Sequence, residues 1–230
     1  MSTSYVFTPE LQVDLPVAGS DQRFPVGRVF CVGRNYPWPG ASSEKPDAPV
    51  FFMKPASAVV EAVDEVIYPP MTDEFCHEIE FVVAIGKGGA NIAQADALEH
   101  VWGYAAGLDL TRRDIQMRVK SAGMAWEMAK VFEGAAPITA VVPVAQAGHP
   151  EQGAVWLSVN GQERQRSTLE EQIFSVSEVI SLLSYLVPLR PGDLIMTGTP
   201  HGVAALSPGD VINAGIDGVA ELEMRVGNRP

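Results

Sequence analysis

The chain has 230 residues, of which 47% are hydrophobic and 19% charged, so it can bury one sizeable core. A formal net charge of −12 and the lack of a long basic run make nucleic acid and anionic membranes poor partners. Two cysteines are too few for a disulfide scaffold, and the absence of a signal-peptide pattern or an apolar run of ~18 residues predicts a cytoplasmic protein without a membrane partner.

Short strands separated by turns dominate the predicted elements. The 21 glycines and 18 prolines are scattered along the chain, which favours strands and turns over a helical bundle. Residues 1–25 predict a short strand and a polar approach segment. No linker divides residues 26–228, which we take as one domain, large enough for a catalytic one. Asn160-Gly161 and Asp217-Gly218 are typical hairpin turns.

Three helices are predicted from periodicity and capping residues. Residues 93–104 suit a short helix that ends near its glycine. Thr111 and Asp114 resemble a capping box before a basic helix, and Ser175 and Glu178 form a second one before VISLLSYLV.

Residues 76–88 read CHEIEFVVAIGKG, in which the alternation of apolar residues predicts a half-buried strand. Glu78 and Glu80 project to one side, about 7 Å apart at their roots, so their charges repel unless a cation lies between them. Asp109 ends the predicted strand GYAAGLDL and would complete a three-carboxylate set. Oxygen ligands suit Mg²⁺, Mn²⁺ or Ca²⁺. The pattern alone fits either a metal site or a solvated face with a helix cap.

Six segments in this order resemble the fumarylacetoacetate hydrolase family: CVGRNY (31–36), FFMKP (51–55), HEIEFVVAIGKG (77–88), VWGYAAGLDLTRRDIQ (101–116), GMAWEMAK (123–130) and LRPGDLIMTGTPHGV (189–203). The resemblance covers nearly the whole chain from about residue 26. It is strongest to members that hydrolyse fumarylpyruvate in gentisate breakdown.

The resemblance implies a mainly β fold with a few helices (α+β), built as the mixed β-roll or barrel of the family's C-terminal domain. It also implies a homodimer and a divalent metal, Mg²⁺ or Mn²⁺ with Ca²⁺ as a further candidate. The metal ligands of the family fall on Glu78, Glu80 and Asp109.

The remaining site residues follow from the same resemblance. Lys130 matches the family's lysine and is expected to stabilise charge as a carbon–carbon bond breaks. The expected partner is a small anionic dioxo acid, held by Arg34, Asn35, Arg113, Gln116, Gly198 and Thr199.

One departure from the family concerns the residues that activate water. The family's histidine and glutamate after CVGRNY are replaced here by Pro39 and Ser42, in a loop that is about three residues shorter than in those relatives. Glu44 is the nearest substitute base. Three functions therefore stay open: an acylpyruvate hydrolase, a decarboxylase or tautomerase of related 2-oxo or 2-hydroxydienoic acids, and a non-catalytic relative that binds metal and ligand.

Overall fold

The computed structural model describes residues 4–40 and 44–230. Its strands, in chain order, are β1 (Asp14–Pro16), β2 (Arg23–Pro25), β3 (Val29–Gly33), β4 (Val50–Lys54), β5 (Val59–Glu61), β6 (Glu65–Val66), β7 (Phe75–Cys76), β8 (Ile79–Ile85), β9 (Val101–Leu108), β10 (Thr111–Arg112), β11 (Ala136–Ile138), β12 (Val142–Pro143), β13 (Ala154–Val159), β14 (Gln162–Thr168), β15 (Leu194–Met196), β16 (Val211–Ile216) and β17 (Ala220–Val226). The helices are α1 (Arg113–Ser121), α2 (Val144–Ala147) and α3 (Val176–Leu186), with 3₁₀ turns at Ala56–Ala58, Gln94–His100, Glu127–Ala129 and Leu169–Glu171. The predicted mainly β fold with a few helices is confirmed.

Two mixed sheets form the body of the fold. The first has the order β4-β3-β15-β8-β9-β11-β5, with β12 paired to β9, and its β3–β15 and β5–β11 pairs are parallel. The second has the order β14-β13-β16-β17-β6. No helix in the described part of the chain combines the length and apolar character needed to cross a membrane.

Strand β8 is covered on both faces. Phe81 and Val83 pack in the core cluster that includes Leu157 of the second sheet, whereas Val82 and Ala84 pack in another cluster on the opposite face. The strand was predicted to be half-buried, but every one of its residues is buried. Because Glu80 shares the face of Val82 and Ala84, its carboxylate points into the protein and not into bulk water.

The prediction of a helix over residues 93–104 is wrong for its last four residues. A 3₁₀ turn ends at His100, and β9 begins at Val101. Val101 and Gly103 pair with Ile85 and Ala84 of β8. The β-branched and aromatic residues there suit a strand, and partners in β8 outweigh the helical pattern.

The two predicted capping boxes have different outcomes. Ser175 and Glu178 form a complete capping box at the start of α3. Thr111 does not cap α1, which begins at Arg113 without a side-chain cap. Instead, the Thr111 hydroxyl donates to Glu78 Oε1 at 3.3 Å and to the Asp109 carbonyl at 3.1 Å, so it serves the acidic residues.

Both predicted hairpin turns are confirmed by the strand register. Val159 pairs with Gln162 across Asn160-Gly161, and Ile216 pairs with Ala220 across Asp217-Gly218. The segment before residue 26 contains the antiparallel pair β1–β2, whose Leu15 and Phe24 pack in the same cluster as Val82. The domain boundary at residue 26 stays a prediction.

Candidate metal and ligand site

Three carboxylates converge where β8 and β9 meet. Glu80 lies in β8, Glu78 is the residue directly before β8, and Asp109 directly follows β9. The antiparallel register pairs Glu80 with Gly107, and the Asp109 N–H donates to the Glu78 carbonyl at 2.8 Å. One ligand oxygen from each of the three residues lies within 4.8 Å of the others. Their exposures of 7%, 2% and 0% exclude the solvated-face interpretation.

Two buried lysines contact the same carboxylates. Lys130 Nζ lies 2.7 Å from Glu78 Oε2 and 2.6 Å from Asp109 Oδ2. Lys54 Nζ lies 2.8 Å from Asp109 Oδ1 and donates to the Lys130 carbonyl at 2.5 Å. Among these five groups, three negative charges face two positive ones. The surplus negative charge and the oxygen-only donor set fit a hard divalent cation.

Glu80 is oriented by a main-chain donor from a distant loop. The Gly198 N–H donates to Glu80 Oε2 at 2.7 Å. Gly198 has φ of 102°, and a Cβ there would lie 2.7 Å from the Cβ of Asn35. Glycine is therefore required both by the backbone conformation and by the close approach of the Asn35 segment.

The environment displaces the carboxyl pKa values in opposite directions. Burial raises the pKa of Glu80 well above its ordinary value, and the charges of Asp109 and Glu78 act in the same sense. Burial also opposes ionisation of Asp109, but the two lysine ammonium groups prevail and its pKa is lowered. Burial disfavours the charged form of Lys130, yet its carboxylate partners raise its pKa above the ordinary lysine value. The surroundings therefore favour the ionised forms of Asp109 and Lys130 as a buried ion pair, whereas they disfavour the carboxylate form of Glu80.

A cavity of about 770 Å³ opens onto the carboxylates. Its aromatic lining includes Tyr36, Phe52 and Trp126, and its cationic lining includes Arg34 and Lys120. Burial, and then the charges of Arg34 and Arg113, lower the pKa of Lys120, because the three cations lie near one another at this cavity. A globally acidic protein thus places Arg34, Arg113 and Lys120 together in the wall of one cavity, where they can attract an anion.

The structure brings most predicted site residues to this cavity. Its lining includes the three carboxylates together with Arg34, Glu44, Arg113, Gln116, Lys130 and Thr199. Arg113 Nη1 donates to Gln116 Oε1 at 2.7 Å, so these two side chains are oriented as a unit. The roles assigned to them stay predictions.

Two predicted substrate-binding residues have other partners. The buried Asn35 amide donates to the carbonyls of Phe174 and Thr197 and accepts from the Phe174 N–H. The Gly198 N–H is directed at Glu80. Neither residue is part of the cavity lining, so the geometry gives both a supporting position.

The structure describes part of the segment that was expected to activate water, which holds Pro39, Ser42 and Glu44. Pro39 is exposed and does not line the cavity, and Ser42 lies outside the described residues. Glu44 is exposed and does line the cavity. Its predicted role as the base is therefore compatible with its position.

Sequence reasoning missed Lys54, Lys120 and Gln165. Lys120 follows Arg113 by seven residues and Gln116 by four, which places all three on one face of α1. That spacing was available from the sequence. Lys54 ends the apolar strand β4. A lysine in so apolar a strand is also a signal, because a buried lysine needs a charged partner. Nothing in the polar run around Gln165 distinguishes it.

Comparison with known proteins places the fold and the site in context. The model of the fumarylacetoacetate (FAA) hydrolase C-terminal domain matches residues 28–227. Fumarylpyruvate hydrolase of Ralstonia sp is 43% identical over 177 residues, which cover 77% of this chain and 92% of that protein. The mitochondrial oxaloacetate tautomerase of Mus musculus is 40% identical over 200 residues, which cover 86% of this chain and 90% of that protein.

A solved structure agrees over nearly the whole chain. It is fumarylpyruvate hydrolase from Pseudomonas aeruginosa in complex with Mn²⁺ and pyruvate, which superposes with a TM-score of 0.95 at 48% identity. The match covers 98% of this chain and 100% of that one. The predicted roll-type fold is thereby confirmed.

Proposed function

Because the chain belongs to the fumarylacetoacetate hydrolase family, we propose that it is a divalent-metal-dependent hydrolase that cleaves a carbon–carbon bond in acylpyruvates, with fumarylpyruvate the favoured substrate. The observation that carries this proposal is the buried set Glu78, Glu80 and Asp109, whose oxygens lie within 4.8 Å, beside the ammonium of Lys130. The site therefore offers ligands for a hard cation and a fixed positive charge in one cavity wall.

Mg²⁺ or Mn²⁺ is the proposed cofactor, with Ca²⁺ as a further candidate. The three carboxylates are the ligands that such cations prefer, and they leave coordination positions for water or substrate oxygens. The related structure from Pseudomonas aeruginosa holds Mn²⁺ with pyruvate. When bound, a divalent metal supplies a Lewis acid that stabilises the enolate released at cleavage.

The proposed reaction consumes one water molecule. Its oxygen adds to the acyl carbonyl carbon, the bond from that carbon to the methylene carbon breaks, and the acyl part leaves as a carboxylic acid. The bonding electrons remain on the methylene carbon as the enolate of pyruvate, which then takes up a proton. Fumarylpyruvate would thus yield fumarate and pyruvate.

The side chains of this chain have distinct parts in that sequence. Lys130 is fixed by two carboxylates and places positive charge near the oxyanion as it develops. Arg113, oriented by Gln116, would hold the carboxylate of the pyruvate part. Arg34 and Lys120 would hold the second carboxylate of a dianionic substrate.

Glu44 is the proposed base that activates the water. The family's histidine and glutamate positions are Pro39 and Ser42 here, whereas Glu44 lines the cavity. A positioned carboxylate within reach of the water would accept its proton as the carbon–oxygen bond forms.

Oxaloacetate tautomerisation is the second candidate function. It is favoured by the 40% identity to the oxaloacetate tautomerase of Mus musculus. Oxaloacetate carries two carboxylates, as fumarylpyruvate does, and its keto–enol exchange requires proton transfers without addition of water. A chain with an altered water-activating segment would retain that chemistry.

Product analysis distinguishes these functions. Metal-free protein would be loaded with Mn²⁺ and supplied separately with fumarylpyruvate and oxaloacetate, with nuclear magnetic resonance used to follow the products. We expect equal amounts of fumarate and pyruvate from fumarylpyruvate. Keto–enol exchange of oxaloacetate without that hydrolysis would identify a tautomerase, release of CO₂ a decarboxylase, and saturable binding without turnover a non-catalytic relative.

We also propose that the protein is a homodimer of the cytoplasm, acting in aromatic breakdown through gentisate. Strand β4 ends the order of the first sheet, and its Val50 and Met53 are 47% and 43% exposed. An open apolar edge strand favours pairing with a second copy. Light scattering after size-exclusion chromatography should give twice the chain mass, and a monomer at micromolar concentration would contradict the dimer.

A further inference from the structure

Gln165 of β14 connects the carboxylate-bearing strand to the loop that carries Thr199. Its side chain is fully buried and has four hydrogen-bond partners. Oε1 lies 2.9 Å from His77 Nδ1 and accepts from the Ile79 N–H at 3.2 Å. Nε2 donates to Thr199 Oγ1 and to the Pro200 carbonyl, each at 2.8 Å. Ile79 lies between Glu78 and Glu80, so one amide holds the metal-ligand strand and the loop together.

The main chain determines which way this amide faces. The Ile79 N–H can only donate and the Pro200 carbonyl can only accept, so the oxygen must face Ile79 and the nitrogen must face Pro200. The Gln165 nitrogen is therefore a donor to Thr199 Oγ1. Because that oxygen is the acceptor in this bond, the hydroxyl hydrogen of Thr199 is left for a different partner.

We propose that Gln165 is a positioning residue that makes Thr199 a hydrogen-bond donor into the cavity, toward a carboxylate of the substrate. Thr199 lines the cavity that holds Glu78, Glu80 and Asp109. The proposal rests on the proposed function in one respect, namely that the cavity takes an anionic dioxo acid. It adds a residue outside the cavity lining, Gln165, that determines whether the Thr199 hydroxyl donates a hydrogen bond into the cavity.

The loop has other attachments that do not involve Gln165. A Cβ at Gly202 would lie 1.9 Å from the Arg164 carbonyl, so the loop packs directly on β14. The main-chain N–H of His77 also approaches the Ala204 carbonyl at 3.4 Å, and the main chains of Cys76 and Ala205 pair in an isolated antiparallel β-bridge. Loss of the Gln165 amide should therefore change the hydroxyl direction more than the loop position.

The test compares the binding of pyruvate to Mn²⁺-loaded protein by calorimetry. In Gln165→Glu, two acceptor oxygens replace one oxygen and one nitrogen, so the Thr199 hydroxyl donates to the new carboxylate and is withdrawn from the cavity. We expect about 10-fold weaker pyruvate binding, the loss of one charge-assisted hydrogen bond. Gln162→Glu is the matched control, because it makes the same change at an exposed site of the same strand and should bind pyruvate normally.

A double-mutant cycle separates positioning from a general structural role. In a Thr199→Val background, Gln165→Glu should cause no further loss of pyruvate affinity, because the hydroxyl is absent. Mn²⁺ affinity should change less than twofold in every variant, and KM for fumarylpyruvate should rise more than kcat falls. If Gln165→Glu fails to fold, Gln165→Met removes the amide donor without a buried charge. The Thr199 hydroxyl is then no longer held toward the cavity, so pyruvate binding should again weaken, by less than about 10-fold.

Several outcomes would overturn the inference. They are unchanged pyruvate affinity in both Gln165 variants, equal losses with and without the Thr199 hydroxyl, and a parallel loss of Mn²⁺ affinity. Wild-type protein that binds pyruvate with Mn²⁺ but does not hydrolyse fumarylpyruvate would refute the proposed function and leave the role of Gln165 supported by its binding data.

Discussion

Lys130 Nζ lies 2.6 Å from Asp109 Oδ2, and the two side chains are only 3% and 1% exposed. A buried ion pair of this kind fixes the ammonium in place before a ligand arrives. Its charge is then available where an enolate develops, without reorganisation of the site.

Replacement of Lys130 should reduce turnover more than ligand affinity. Under saturating Mn²⁺, we expect Lys130→Ala to lower kcat for fumarylpyruvate by roughly 10²–10³-fold, because it removes charge stabilisation that is needed mainly in the transition state. The exposed Lys87→Ala is the control. Steady-state kinetics that show a normal kcat and a raised KM would mean that Lys130 contributes only uniform binding.

Replacement of Glu80 should abolish tight metal binding. Two remaining carboxylates make a poor site for a cation that prefers about six oxygens, so Mn²⁺ affinity of Glu80→Ala should fall by at least about 100-fold. The fold should survive, because burial already disfavours the ionised Glu80 side chain. Calorimetry on this variant and on the exposed Glu99→Ala provides the comparison. Undiminished affinity in Glu80→Ala would remove Glu80 from the site.

Glu44 and the segment around it give a third prediction. If Glu44 is the base, Glu44→Gln should lower kcat by about 10²-fold or more while Mn²⁺ and pyruvate affinities stay constant. The measurement is turnover of fumarylpyruvate under saturating metal, with affinity determined in parallel.

A loop replacement tests the same segment from the other direction. Residues 37–47 would be exchanged for a longer loop that carries a histidine and a glutamate at the family's spacing. If wild-type turnover is limited by the lost pair, the exchange should raise kcat by up to roughly 10²–10⁴-fold. A single Pro39→His change is expected to do less, because it does not restore the length of the loop. Rapid hydrolysis by wild type that neither Glu44→Gln nor the exchange alters would refute this account of the segment.

Asp114 provides a prediction about stability and pH. Burial opposes its ionisation, but hydrogen bonds from the Thr72 hydroxyl and the N–H groups of Asp73 and Ile115 prevail and lower its pKa. Its stabilising contribution is thus complete above the unfolded-state pKa and is lost as pH falls through the lower folded-state value.

Asp114→Asn should therefore reduce the free energy of unfolding by about 1 kcal/mol at pH 7. The difference from wild type should shrink as the pH falls below about 4. Urea unfolding at several pH values measures it, with the exposed Asp21→Asn as the control. A difference that grows on acidification would contradict the assignment.

The sequence was informative about the carboxylates because strand periodicity and the pairing of two long strands that follow one another relate them. Glu78 and Glu80 share a face through the two-residue period of a strand, and Asp109 reaches them through pairing of β8 with the next long strand. Only the choice between a metal site and a solvated face required the structure. Burial of β8 on both faces depends on the packing of two sheets, which no local pattern specifies.

The supporting contacts were hidden because they join distant segments. Gln165 reaches Ile79 across 86 residues and Thr199 across 34. Asn35 reaches Phe174 across 139. Such hydrogen bonds arise when loops and sheets close on one another, so their partners cannot be read from spacing. The helix expected over residues 93–104 was misjudged for a similar reason, since pairing with β8 determined the strand from Val101.

The most direct test of a metal-dependent hydrolase follows metal binding and product release in one titration. Mn²⁺ would be added stepwise to metal-free wild-type protein, with bound metal measured by electron paramagnetic resonance and pyruvate released from fumarylpyruvate measured in the same samples. We predict one Mn²⁺ per chain, with pyruvate release rising in proportion to bound metal and absent in Glu80→Ala. Full-rate pyruvate release from metal-free protein, or saturation of the site by Mn²⁺ without any hydrolysis, would contradict the proposed function.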